Sequence, residues 1–488
     1  MLLRNARLGD ETVHIRIADG RIAEIGRADD DELKPTRSDQ EVVDLEHRPV
    51  IPGLWDEHVH FSQWAMSLRR VDVQHADSPE RAAAIVAEAV AASPPAPGSV
   101  IVGVGFRAGL WSRQPTAAVL DSVVGAVAAN VPVVIISGDV HSVWLNSAAL
   151  AHFGLAGHPT GVLVEDECWA VLKTLDDVPD EVLDAWLAEA ASAAAARGIV
   201  GITDLEFSSN IDHWQRRMAA GFDLLRVDAG FYTEHLDDVI ARGLRSGQQL
   251  SDLLTVGPYK IITDGSLNTR TAFCVDPYPG LTEHAHGMLN VAGDELRRLM
   301  SRATAAGLRM AVHAIGDEAN RLALDAFEEI GCGGRIEHAQ LLRASDLARF
   351  GSLGVEASVQ PEHAMDDRDV ADHYWAGRTD RAFVLRSLIE AGARLRLGSD
   401  APVAPLDPWV SIAAAVGRSR DGREPWHAEQ TITVDQAIEA SVRSAVAVGE
   451  VADLVVLDRD ARAATAAALR TMPVAATLLG GRFTHNAL

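Results

Sequence analysis

Cysteine is scarce in this chain, basic residues are outnumbered, and no apolar run is long enough to cross a membrane. Only Cys168, Cys274 and Cys332 occur among 488 residues. They are widely spaced, odd in number and form no Cys-x-x-Cys pattern, so they read as isolated thiols in a reducing cytoplasm rather than a disulfide scaffold. Lysine and arginine total 44 against 69 aspartates and glutamates, a formal charge of −25. That balance argues against nucleic acid or an anionic membrane as partner and favours solubility. The alanine-rich stretches at 82–92 and 188–196 are broken by Glu88 and Glu189. Both fall short of the roughly 18 apolar residues of a spanning helix, so they are expected as helices of a soluble protein. Met1-Leu2-Leu3-Arg4-Asn5 turns polar too soon for a signal peptide. A small-molecule substrate is the expected partner, and composition leaves a homo-oligomer open.

The length suits a large barrel with a smaller partner domain. Val13–Ile17 and Arg21–Ile25 flank an Asp19-Gly20 turn, a hairpin signal. Strand patterns return at Ala452–Leu457 and Val474–Leu479. Residues 1–50 and 445–488 are therefore expected to build one small β-sandwich domain, each covering edges the other leaves bare. Between them, eight strand candidates alternate with helical stretches: Val50–His60, Gly198–Leu205, Leu224–Tyr232, Leu254–Asp264, Leu308–Ala314, Arg335–Gln340, Val355–Gln360 and Arg394–Asp400. That count predicts an α/β fold, a (β/α)8 TIM barrel over 51–444. The long gap after the first strand holds Pro94-Pro95-Ala96-Pro97-Gly98 and the strand-like Val100–Phe106 and Val131–Ser137. It reads as an inserted α/β subdomain at about 65–175, covering the barrel mouth.

Residues of metal-ligand type fall at or near the C-terminal ends of these strands: His58 and His60 in Asp56-Glu57-His58-Val59-His60, then Lys260, His313, His338 and Asp400. In a parallel barrel those ends converge on one face. His58 and His60 are two apart on a strand, so both point the same way and can grip one ion of zinc type. Asp400 can touch a metal and take a proton from water. An ammonium at Lys260 would be repelled by cations, whereas its neutral amine can capture carbon dioxide as a carbamate able to bridge two metals. Unmodified, Lys260 would pair with a carboxylate such as Asp264.

This constellation resembles the amidohydrolase superfamily, in particular its metal-dependent hydrolases related to N-substituted formamide deformylase. The resemblance spans essentially the whole chain. It rests also on His141-Ser142-Val143-Trp144-Leu145-Asn146-Ser147, on Lys260–Leu267, on Val312–Asp317, on Ser358–His363, on Gly398–Val403 and on Ala452–Leu457. It implies that His58 and His60 hold a buried metal, that carboxylated Lys260 bridges to a second metal held by His313 and His338, and that Asp400 binds the buried metal and is the general base. The chain departs from the family at Asp139-Val140-His141, where Asp-Gly-His is usual, at Asn268-Thr269 in place of Gly-Ser, and at a shortened turn, Ala447–Glu450.

The expected activity is hydrolysis of a non-peptide carbon–nitrogen bond in an amide-like small molecule, with one or two divalent ions, zinc by the imidazole-rich ligands. His141 and His363 are candidates to contact the substrate oxygen, and Asp264 and Arg270 either shape the pocket or pair with each other. A one-metal deaminase is the alternative, weakened because related deaminases place a glutamate where this chain has Gly316. A catalytically inactive barrel with a binding role would be expected to lose ligands, and none is lost.

Overall fold

The computed structural model describes residues 1–27, 41–95, 99–175 and 178–488. Ala96-Pro97-Gly98 of the proline-rich stretch lies outside the described residues. Eight parallel strands follow one another in chain order: β1 (Leu54–Val59), β2 (Ile199–Asp204), β3 (Arg226–Phe231), β4 (Leu254–Ile262), β5 (Met310–Ala314), β6 (Gly334–His338), β7 (Glu356–Val359) and β8 (Leu395–Leu397). Helices between them cover the outside of the barrel. The helix Gly293–Ala305 shows the pattern: it buries Leu296, Leu299, Met300 and Ala303, a helical stripe packed into the same cluster as β4 and β5.

One expected strand divides in two. Val50–Pro52 pairs antiparallel with Leu454–Leu457, whereas Leu54–Val59 pairs with β2 in the barrel. The single apolar run thus serves two sheets, a division that hydrophobic pattern alone does not mark. The chain ends form two four-stranded sheets. One orders Arg21–Arg27, Glu11–Ala18, Leu2–Leu8 and Val42–Asp44; the other orders Arg482–Asn486, Val474–Leu479, Leu454–Leu457 and Val50–Pro52. Leu3, Val13 and Ile15 of the first share a buried cluster with Leu454, Val456 and Leu478 of the second. Between β1 and β2 a separate five-stranded sheet orders Val162–Val164, Ser142–Leu145, Val133–Ser137, Ile101–Phe106 and Val71–Asp72. No helix among the described residues is long and apolar enough to cross a membrane.

The barrel closes between β1 and β8 by backbone bonds beyond the end of β8. Asp400 N–H donates to His58 O at 2.7 Å and His60 N–H to Ala401 O at 2.9 Å. Both Asp56 carboxylate oxygens accept from Ser399 N–H at 3.0 Å. A Cβ on Gly398 would lie 2.7 Å from His58 N, so only glycine permits this approach.

Buried charge also ties the barrel together. Glu57 receives a two-pronged bond from Arg443 (2.8 and 2.5 Å), and Arg335 reaches it at 3.2 Å. The Arg443 guanidinium lies over the Trp55 ring at 3.7 Å. Burial pushes the Glu57 carboxyl up, but Arg443, Arg335 and Arg396 outweigh it and hold it at about 2, below the ordinary 4.5. Because the folded value is the lower one, this contribution is complete above about pH 4.5 and is lost as pH falls towards 2. Glu57→Ala would leave these arginines without their shared anion, at a cost of roughly 3–5 kcal/mol. Urea titration should show that loss at pH 7 and a smaller difference from wild type at pH 3.

Candidate metal centre

At the C-terminal mouth, strand ends turn four imidazoles, an amine and a carboxylate towards one point. Asp400 Oδ1 lies 3.3 Å from His58 Nε2 and 3.4 Å from His60 Nε2. Lys260 Nζ is 3.3 Å from the same His58 nitrogen. The ring centroids of His58 and His338 are 5.0 Å apart, and those of His313 and His338 4.5 Å. Donor atoms of His58, His338 and Asp400 all lie within 4.8 Å of one another. His60 follows the end of β1 and precedes the helix Phe61–Ser67. His338 (φ 72°) and Asp400 (φ 58°) adopt the left-handed backbone region, uncommon outside glycine and found where function holds it.

Two of the imidazoles are oriented from behind. His58 Nδ1 is 2.7 Å from Glu337 Oε2, and His338 Nδ1 is 2.8 Å from Gln360 Oε1, leaving Nε2 of each ring for the centre. Burial pushes the Glu337 carboxyl up, yet Arg335, 2.5 Å away, and His58 hold it well below the usual carboxylate range. Burial, then the Lys260 charge, pulls His58 down to about 4. Burial lowers His313 and His338 well below 6.5. Neutral imidazole is the metal-binding form. Burial likewise lowers Lys260 to about 8, against the pull of Glu337 and Asp400. Asp400 resists its own burial because His58, His60, His338 and His363 hold it ionised.

Does this set fit a divalent ion? The His60 Nδ1 and His363 Nε2 atoms are buried without a hydrogen-bond partner. Lys260 faces an imidazole nitrogen rather than Asp264. Imidazole nitrogens and a carboxylate gathered this closely suit a divalent ion.

The other expected site residues separate. His363, in the first turn of the helix Pro361–Tyr374, sits 3.8 Å from Asp400 Oδ2. His141 comes down from the insertion, its ring centroid 6.3 Å from that of His313. Both line a cavity of about 950 Å³ with the six residues above. Asp264 and Arg270 do not line it. Asp264 is fully buried and accepts the backbone N–H groups of Phe273, Ile315 and Gly316 at 2.8–3.1 Å, clamping two loops. Arg270 lies over the Tyr374 ring at 5.4 Å instead of pairing with Asp264. Glu337, Gln360 and Glu165 were not singled out by sequence; only Glu337 had a local signal, its place beside His338.

The fold and this mouth define a barrel protein with a hydrolase-type metal centre. The chain belongs to the amidohydrolase family, whose model matches residues 41–485. It is a metal-dependent hydrolase acting on carbon–nitrogen bonds. It is 30% identical to Protein LONG AFTER FAR-RED 3 of Arabidopsis thaliana over 77% of this chain and 70% of that one. It is 26% identical to the N-substituted formamide deformylase of Arthrobacter pascens over 96% and 94%. An uncharacterized metal-dependent hydrolase from Pyrococcus horikoshii superposes with a TM-score of 0.78 at 25% identity, over 96% and 99% of the two chains.

Val140 takes φ 61°, in the left-handed region that favours glycine. A β-branched side chain there costs roughly 1–2 kcal/mol, against about 0.5–1 for the freedom glycine adds to the unfolded chain. Val140→Gly should therefore raise the urea midpoint slightly, by about 0.5–1 kcal/mol. A lowered midpoint would mean that Val140 packing outweighs its strain.

Proposed function

We propose that this chain hydrolyses an amide-like, non-peptide carbon–nitrogen bond of a small molecule at a centre that takes one or two divalent ions, zinc being the ion best suited to imidazole donors. The carrying observation is that Asp400 Oδ1 lies within 3.4 Å of both His58 Nε2 and His60 Nε2, with Lys260 Nζ 3.3 Å from His58. His58, His60 and Asp400 would hold one ion and His313 and His338 the second, with a carbamate on Lys260 common to both. The Arthrobacter relative is named for deformylation of N-substituted formamides, which supports an amide substrate. Bound there, a divalent ion acidifies water and polarises a carbonyl.

The protein's own groups handle the protons. Asp400, ionised and at the centre of the cluster, takes the proton of the attacking water and passes it to the leaving nitrogen, which departs as an amine. His363, 3.8 Å from Asp400, would contact the substrate oxygen. A deaminase would need a glutamate at position 316, and a Cβ there would lie 2.0 Å from Phe273 O. The buried cluster shared by the two terminal sheets supports a small β-sandwich domain of 1–50 with 445–488. The three free cysteines support a reducing, cytoplasmic setting.

Asp400→Asn should keep shape and lose about 10²–10⁴-fold in kcat on a panel of N-formyl and N-acyl amines. Activity near wild type, with metal retained by mass spectrometry, would move the proton role elsewhere. Carboxylation of Lys260 joins the Nζ lone pair to carbon dioxide and releases one proton. The chain has three lysines, Lys34, Lys173 and Lys260. Zinc-loaded protein grown with ¹³C-bicarbonate should show one carbamate carbon signal by NMR, absent in Lys260→Ala. No signal in the wild type would remove the carbamate.

A further inference from the structure

The insertion contributes more than a cover. His141 Nδ1 lies 3.0 and 3.2 Å from the two oxygens of Glu165. Glu165 is itself buried, and its Oε1 accepts from Thr271 Oγ1 at 2.8 Å, in the loop after β4. His141 N–H donates to Asp139 Oδ1 at 3.2 Å, and the other Asp139 oxygen accepts from Ser266 Oγ of that same loop at 2.7 Å. Glu165 has φ 48°, so the backbone as well as the side chain is held in an uncommon state. Two acidic residues of the insertion are thus pinned to the barrel, and both orient one histidine. With Nδ1 bound to carboxylate, Nε2 is the nitrogen left to the cavity that His141 lines.

We infer that Glu165 is a positioning residue that fixes His141 with its Nε2 turned to the cavity, where it hydrogen-bonds the bound substrate, the insertion thereby completing the active site. This rests on the hydrolase reading above. A polar group fixed in advance at the reacting centre acts on the substrate without reorganisation.

The test compares His141→Ala, Glu165→Ala, Glu165→Gln and the double alanine variant as zinc-loaded full-length proteins. Kinetics on the formamide and acylamine panel are combined with metal analysis and ¹H–¹⁵N NMR of the histidine ring. His141→Ala should lower kcat by about 10²–10³-fold with metal content unchanged. Glu165→Ala should lose a comparable factor, the double variant should be no worse than His141→Ala, and Glu165→Gln, which still accepts from Nδ1, should recover part of the rate. The downfield Nδ1–H signal of His141 should persist in Glu165→Gln and vanish in Glu165→Ala. Additive losses, metal loss in His141→Ala, or an unchanged ring signal in Glu165→Ala would overturn the inference. Should wild type cleave nothing in the panel, the hydrolase reading fails on kinetics and the substrate-binding role of His141 falls with it, while the ring signal alone decides whether Glu165 orients His141.

Discussion

The seam between the first and last barrel strands is the constraint on which the site depends. Asp56 grips the Ser399 amide, Gly398 lets the strands meet, and Asp400 N–H bonds directly to His58 O. The backbone bonds that close the barrel therefore also fix the spacing of the two side chains that meet at 3.3 Å. Any widening of that seam is a widening of the candidate centre. Stability and chemistry share the same atoms here, as expected where a site sits on rigid elements rather than on free loops.

Beneath the seam lies a layer of buried charge. Glu57, Arg335, Glu337 and Arg443 form a connected set, and its upper member, Glu337, reaches His58 Nδ1. Buried charges are costly unless paired and hydrogen-bonded, and these are paired. The network thus carries orientation upward: arginines keep Glu337 ionised, and Glu337 holds the ring so that Nε2 faces the centre. Above the seam, the insertion acts from the opposite side, leaning on the loop after β4 through Thr271 and Ser266. Val140, Glu165, His338 and Asp400, in or beside these supports, all take left-handed backbone. Strain of this kind persists only where surroundings over-determine it.

Much of the barrel was legible because parallel strands buried on both faces leave apolar runs, and each of the eight expected runs overlaps a barrel strand. The ligand-type residues stood out because each follows such a run, and a barrel brings strand ends together whatever their separation in sequence. Less was legible where one run served two sheets, as at Gly53 between Val50–Pro52 and Leu54–Val59. Asp264 stood out from its place after β4, but its carboxylate accepts from three backbone amides outside the cavity lining, with Oδ1 3.5 Å from His313 Nε2.

By itself the sequence determined the alternation of strands and helices, the identity of the chemical groups and their order around the mouth, because these follow from period, composition and chain order. Tertiary structure alone decided which nitrogen of His58, His338 and His141 is free, which side chain orients it, and that Glu165 and Thr271, 106 residues apart, meet at 2.8 Å. Hydrogen-bond partners depend on positions to within a few tenths of an ångström. No pattern of residue types along a chain fixes distances that fine; only packing does.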